Sequence, residues 1–292
     1  MISREGNPEP TNPLGLDGIE FVEYATARPQ ALGAVLEAMG FAPVARHRSR
    51  EVTLYRQGSM NLIVNAHPDA LAALEVSDDT PVIAAVALRV RDAATAWKRS
   101  CDLGAWPRPP QVSAMELNIP AIVGVGGSLV YFVDRYRDFS IYDVDFVALP
   151  SVNPRPAALA GMHYFGVVQT IHGDRTEAWL DYYRELFGFT VLPPDTHFGI
   201  LPKGALIESP CRKFYMQLIE PPSGAEDVEW AESLVRIGIG APDVRAATAA
   251  LKARGVVFVD RDPVQPSDKG ALTQGYLGSV SFELVASHIA AE

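Results

Sequence analysis

Apolar and polar positions along this chain recur in a fixed order. Branched runs such as Val82–Val90 (VIAAVALRV) and Leu234–Ile239 (LVRIGI) read as strands. Each is followed by an acidic residue placed to cap a helix, Asp92 or Asp243, and then by an amphipathic stretch of about three turns. A stopping glycine closes the pattern, Gly104 in one case and Gly255 in the other. The segments Val90–Gly104 and Ala241–Gly255 match at one offset of 151 residues, and Leu36–Phe41 (LEAMGF) repeats as Arg184–Phe189 (RELFGF) at an offset of 148. Short strand patterns come after the helices at Thr53–Tyr55, Asn61–Asn65, Leu129–Val133, Tyr142–Ala148, Phe214–Leu218 and Ser279–Val285. Strand, helix, then several strands is therefore a unit that occurs four times, starting near Gly18, Pro81, Gly161 and Ser233.

The repeat predicts an α+β fold: two similar halves, each a pair of βαβββ modules with a curved mixed sheet. The expected divisions are a polar tail over residues 1–13, an N-terminal half over 14–148, a proline-rich semi-rigid linker over 149–160 and a C-terminal half over 161–292. A curved sheet that buries one face leaves a concave mouth on the other, and a ligand is expected there.

Composition narrows the classes of function. With 292 residues, 48% of them hydrophobic and 21% charged, the chain can build a large core and is not a disordered segment. A net charge of −10 opposes phosphate backbones and anionic lipid, so neither a nucleic-acid nor a membrane partner is expected. The two cysteines, Cys101 and Cys211, are too far apart for a disulfide framework or a paired zinc site, which suits a reducing, cytoplasmic setting. The first thirteen residues lack the apolar run of a signal peptide. The longest apolar stretch, Pro120–Val133, is broken by three glycines and falls short of the roughly 20 residues a membrane helix needs. GVGGS at 124–128 does not open a helix and so does not read as a nucleotide loop. Arg46, His47, Arg48 and Arg50 read as a solvated basic face, and Tyr182 with Tyr183 as helix core or interface. Nothing specifies an oligomer, and a homo-oligomer stays open.

Four blocks carry a resemblance: Asn12–Ala25 (NPLGLDGIEFVEYA), Met39–Ser49 (MGFAPVARHRS), Leu54–Asn65 (LYRQGSMNLIVN) and Met115–Phe146 (MELNIPAIVGVGGSLVYFVDRYRDFSIYDVDF). Together they resemble the bacterial 4-hydroxyphenylpyruvate dioxygenases of the vicinal-oxygen-chelate superfamily, whose βαβββ modules match the repeat. The likeness is close over residues 12–148 and weaker, with deletions, beyond. It implies Fe(II) or another divalent metal held by two histidines and a carboxylate. The first histidine falls on His163 in GMHYFG and the carboxylate on Glu283 in GSVSFELV. The second falls on Arg236, which has no lone pair to give, so the resemblance leaves open that no metal is bound. Val235 and Ile219 stand at polar, oxo-acid-binding positions, and the family's C-terminal gating helix has no counterpart before Glu292. Gln274 in ALTQGYLG matches a substrate-contacting glutamine, Gln217 and Arg236 are expected to contact substrate with it, and Gln217, His172 or His197 could replace the missing ligand. Glu20 and Asp145 occupy, by the repeat, the places of His163 and Glu283 and read as structural.

Strand alternation places Arg236 with Gly238 on the pocket side, so Arg236 is expected to pair with Glu283 and to recognise an anion. Three functions are consistent with these residues. One is a dioxygenase-related enzyme acting on a small oxo acid or hydroxylated aromatic, with homogentisate formation not expected. Another is a metal-free lyase or isomerase that uses His163 as acid or base. The third is a non-catalytic protein that binds a small anionic or aromatic molecule.

Overall fold

The computed structural model describes residues 11–77, 80–109, 116–201, 204–221, 231–262 and 264–288. Most of the expected tail over 1–13, and Met115 of the last resemblance block, lie outside the described residues. The first module is β1 (Ile19–Ala25), α1 (Pro29–Ala38), β2 (Ala42–His47), β3 (Val52–Gln57) and β4 (Met60–Asn65), followed by the short helix α2 (Pro68–Ala73). The second is β5 (Val82–Arg89), α3 (Ala93–Asp102), β6 (Ala121–Val123), β7 (Leu129–Val133), α4 (Tyr142–Asp145) and β8 (Phe146–Ala148). They form one eight-stranded mixed sheet, β6-β7-β5-β1-β4-β3-β2-β8.

The C-terminal half repeats the plan in shorter form. Its elements are β9 (His163–Thr170), α5 (Thr176–Phe187), β10 (Thr190–Val191), β11 (Ala205–Glu208) and β12 (Tyr215–Ile219), then β13 (Ser233–Ala241), α6 (Val244–Ala253), β14 (Gly270–Leu272) and β15 (Phe282–Ala286). Their seven-stranded sheet runs β10-β11-β12-β9-β13-β15-β14. In both sheets an antiparallel central pair, β1 with β5 or β9 with β13, is flanked by parallel partners, β4 and β7 or β12 and β15. The paired βαβββ plan is thus present, with the last module one strand short among the described residues.

The expected caps are in place. The Asp92 carboxylate accepts from the Thr95 amide at 2.7 Å and that of Asp243 from the Ala246 amide at 2.9 Å. α6 buries Val244, Ala247, Thr248 and Leu251, a single stripe at helical spacing. One expected strand is corrected: residues 142–145 are a helical turn, and only Phe146–Ala148 extends. The Asp143 carboxylate accepts from the Ser140 amide and hydroxyl at 2.7 and 2.9 Å, and this local bonding starts the turn in place of a ladder.

One continuous core joins the halves, running from Leu32, Leu36 and Met39 of α1 to Leu180, Tyr183 and Phe187 of α5 and on to Phe214 and Phe282. A second, smaller cluster on the other face of the N-terminal sheet gathers Phe21, Leu54, Ile63 and Ile141. Between the halves, Tyr164 donates its hydroxyl to the Asn61 carbonyl, and Lys213 pairs with Asp17 at 2.8 Å. The linker is pinned to the β3–β4 turn: the Gly58 amide donates to the Pro156 carbonyl at 2.9 Å and the Leu159 amide to Gln57 Oε1 at 3.1 Å. No helix among the described residues is long and apolar enough to cross a membrane.

Candidate functional site

The inner face of the C-terminal sheet carries the expected residues at stations fixed by register. Glu283 lies opposite Gly238, Arg236 opposite Val168 and His163 opposite Gly240. Arg236 and His163 therefore stand on either side of the Gly238 level, each two residues or about 7 Å along β13. Bulges between Leu234 and Arg236 and between Gly238 and Ile239 adjust the alternation so that Leu234, Ile237 and Ile239 still enter the core.

His163 is buried and engaged. Its Nδ1 lies 3.1 Å from the Gly161 carbonyl and its Nε2 3.0 Å from Ser287 Oγ. A carbonyl only accepts, so Nδ1 carries the proton and the Nε2 lone pair accepts from the Ser287 hydroxyl. Burial holds the imidazole below its usual pKa, so it is neutral at physiological pH. The ring rests on Gly240, where a Cβ would come within 2.3 Å of Nε2.

Arg236 is half-buried, and its Nε has no hydrogen-bond partner among the described residues. Burial pulls the guanidinium below its ordinary pKa, and the Glu283 charge opposes that shift. Glu283 is buried and borders a cavity of about 30 Å³ together with Gln217, Phe165, Tyr215 and Phe198. That volume holds water but not an aromatic ring. The loop after β10 fills the rest: the Phe198 ring lies 5.1 Å from that of Phe165 and 4.9 Å from that of Tyr215. Gly199, at φ +64°, comes so close that a Cβ there would meet Glu283 Oε1 at 2.3 Å.

The other candidates disperse. Gln217 lines the small cavity, whereas Gln274 is exposed and does not, its backbone N–H donating to the Val257 carbonyl. His172 and His197 are exposed. No group of three or more His, Cys, Asp or Glu side chains among the described residues could hold a metal ion. Register also corrects the internal correspondence. Tyr131, opposite Ala87, stands where Glu283 does, and Gly18, bonded to Arg89, takes the station of His163. Glu20 instead pairs with Arg89 at 2.6 Å, and the Asp145 carboxylate receives the Leu117 amide. Both roles are structural.

A divalent iron needs neutral or anionic donors. Glu283 qualifies, and His163 is oriented by its carbonyl as a metal-bound imidazole would be, but its lone pair faces Ser287. Arg236 supplies no lone pair, makes no ion pair with Glu283 among the described residues, and brings a cation within reach of the Glu283 charge. The residues present do not fit the iron triad.

Residues 10–147 match the family described as hydroxyphenylpyruvate dioxygenase, HPPD, N-terminal. A 4-hydroxyphenylpyruvate dioxygenase of Pseudomonas sp. (strain P.J. 874) is 42% identical over 180 residues, covering 61% of this chain and 50% of that one, so the chain matches half the length of this relative. Hemolysin VllY of Vibrio vulnificus is 32% identical over 286 residues, 92% of this chain and 79% of that protein. Among solved structures, a xylose isomerase-like TIM barrel/4-hydroxyphenylpyruvate dioxygenase fusion protein superposes with a TM-score of 0.74 at 24% identity, covering all of this chain and 52% of that one.

Proposed function

The chain belongs to the 4-hydroxyphenylpyruvate-dioxygenase-like family of the vicinal-oxygen-chelate superfamily, and from that premise we propose that it handles a small oxo acid or hydroxylated aromatic without forming homogentisate. The observation that carries this reading is Arg236, a half-buried cation two residues along β13 from the level of Glu283, at the station the resemblance gives to the second histidine. A guanidinium there neutralises the carboxylate and offers a planar fork to an oxo acid or enolate. Its partnerless Nε is the kind of buried donor that a bound anion would satisfy.

The small cavity and the pressed-in Phe198 favour a second reading, a non-catalytic binding protein whose β10–β11 loop must lift before a ligand enters. A metal-free lyase or isomerase is the third. It would require His163 to leave Ser287 in order to act as acid or base.

Oxygen uptake with 4-hydroxyphenylpyruvate and added Fe(II) tests the main reading. No uptake and no homogentisate are expected, and product at ordinary enzymatic rates would overturn it. Turnover of an oxo acid in the presence of chelator would select the lyase or isomerase, and saturable binding without turnover the binding protein.

A further inference from the structure

The larger cavity lies in the other half. On the inner face of the N-terminal sheet a cleft of about 250 Å³ is walled by Phe21, Phe146, Val52, Ile63, Leu129 and Ile141. Its size suits a single ring, being below the range of drug-sized ligands. Two polar groups, on the strands that flank β5, face it from the floor. Glu23 on β1 is held by one hydrogen bond, from Asn65 Nδ2 to Oε1 at 2.8 Å, and its Oε2 has no partner among the described residues. Tyr131 on β7 borders the same space, its ring 5.8 Å from that of Phe21, and its hydroxyl likewise has no partner among the described residues.

Four carboxyl groups, on Glu23, Asp69, Glu116 and Asp145, border the cleft against two guanidinium groups, on Arg50 and Arg108, and this balance disfavours an anion. Arg50 is committed to Glu116 through two bonds, Nε to Oε1 at 3.1 Å and Nη2 to Oε2 at 2.5 Å. A ligand carboxylate aimed at Arg50 would have to displace Glu116 and then lie against Glu23. A hydroxyl on a ring has the opposite fit, since it can donate to one floor group and accept from the other.

We propose that this cleft binds a neutral single-ring phenol, its hydroxyl donating to Glu23 Oε2 and accepting from Tyr131 Oη while the ring packs on Phe21 and Phe146. The site is separate from the Arg236–Glu283 region and does not depend on the function proposed for it.

Calorimetric titration of the full chain with p-cresol, with benzoate as the anionic counter-probe, tests this. Saturable binding of p-cresol is expected at about one site per chain, about tenfold tighter than benzoate. Glu23→Gln should weaken it about tenfold, the loss expected when a strong acceptor is replaced by a weaker one. Ala70→Trp, at the partly exposed mouth on α2, should abolish it. Thermal melting by circular dichroism establishes that each variant is folded, and Ala70→Trp keeps the test decisive if Glu23→Gln is not. Benzoate binding as tightly as p-cresol, no p-cresol binding at millimolar concentration, or affinity unchanged in both folded variants would overturn the proposal.

Discussion

The two inner faces occupy matching stations with different chemistry. Register sets Glu23 against Val168, Asn65 against Ile219, Ile63 against Gln217, Ala85 against Arg236 and Tyr131 against Glu283. The N-terminal face puts a carboxyl on its first central strand and leaves it facing an open cleft. The C-terminal face puts a guanidinium on its second central strand, within reach of the charge of a buried carboxylate that the loop after β10 covers. The duplicated sheet thus fixes where a functional group can stand, while the residue placed there and the loop above it decide what the face can hold.

The largest expected effect removes what separates the C-terminal face from a metal site. In Arg236→His combined with Ser287→Ala, the cation becomes an imidazole and the His163 Nε2 lone pair is released from its hydroxyl donor. The double variant, purified and equilibrated with Co(II) or Fe(II), should hold about one ion per chain by elemental analysis, with no comparable gain for Ser287→Ala alone. If the double variant stays metal-free, Arg236 is not what distinguishes this face, and the loop carrying Phe198 and Gly199 becomes the reason.

A matched pair of substitutions sharpens the contrast next. Glu283→Gln leaves the Arg236 charge without its counter-charge and is expected to cost about 2 kcal/mol in urea unfolding. Glu23→Gln in the N-terminal cleft should cost nothing at neutral pH. Burial raises the Glu23 carboxyl above its ordinary pKa, against the opposing effects of the Asn65 bond and the Arg50 charge. A group whose folded pKa lies above 4.5 stabilises the fold most when protonated, below that value, and loses the contribution as pH rises through its folded pKa. The variant should therefore gain on the wild type as pH climbs through that window and hold a constant difference above it. Equal losses from the two substitutions would show that the faces are not electrostatically opposed.

Much of the scaffold was legible in the sequence, because strand alternation, capping residues and stop glycines are local signals. Asp92 and Asp243 cap as expected. Three features were not legible, each because it depends on contacts distant in sequence. Ser287 reaches His163 across 124 positions, the Phe198 ring packs against Phe165 across the sheet face, and Arg50 finds Glu116 across 66. The basic run at Arg46–Arg50 looked solvated, and Arg46 and Arg48 are exposed, yet His47 and Arg50 line the cleft. Glu23 also escaped notice, since a lone carboxyl in an apolar strand reads as a residue awaiting a partner and register alone shows that it faces a cavity.

The smallest effect concerns what the halves still share. Asp92→Ala and Asp243→Ala each remove one side-chain acceptor from the first turn of a helix, and each should cost about 1 kcal/mol. The costs should be equal, because both depend on the same backbone geometry, 2.7 Å to Thr95 and 2.9 Å to Ala246, and neither touches a cavity. The Thr95 side chain and amide hold the Asp92 carboxyl below its usual pKa, so its contribution is present above 3.8 and is lost as pH falls through the lower folded value. Unfolding at pH 7 and again in acid should show the Asp92→Ala penalty shrinking. A cap that costs nothing in one half alone would mean that the duplicated scaffold has diverged as far as the faces it carries, and that the matching stations no longer rest on a common helix start.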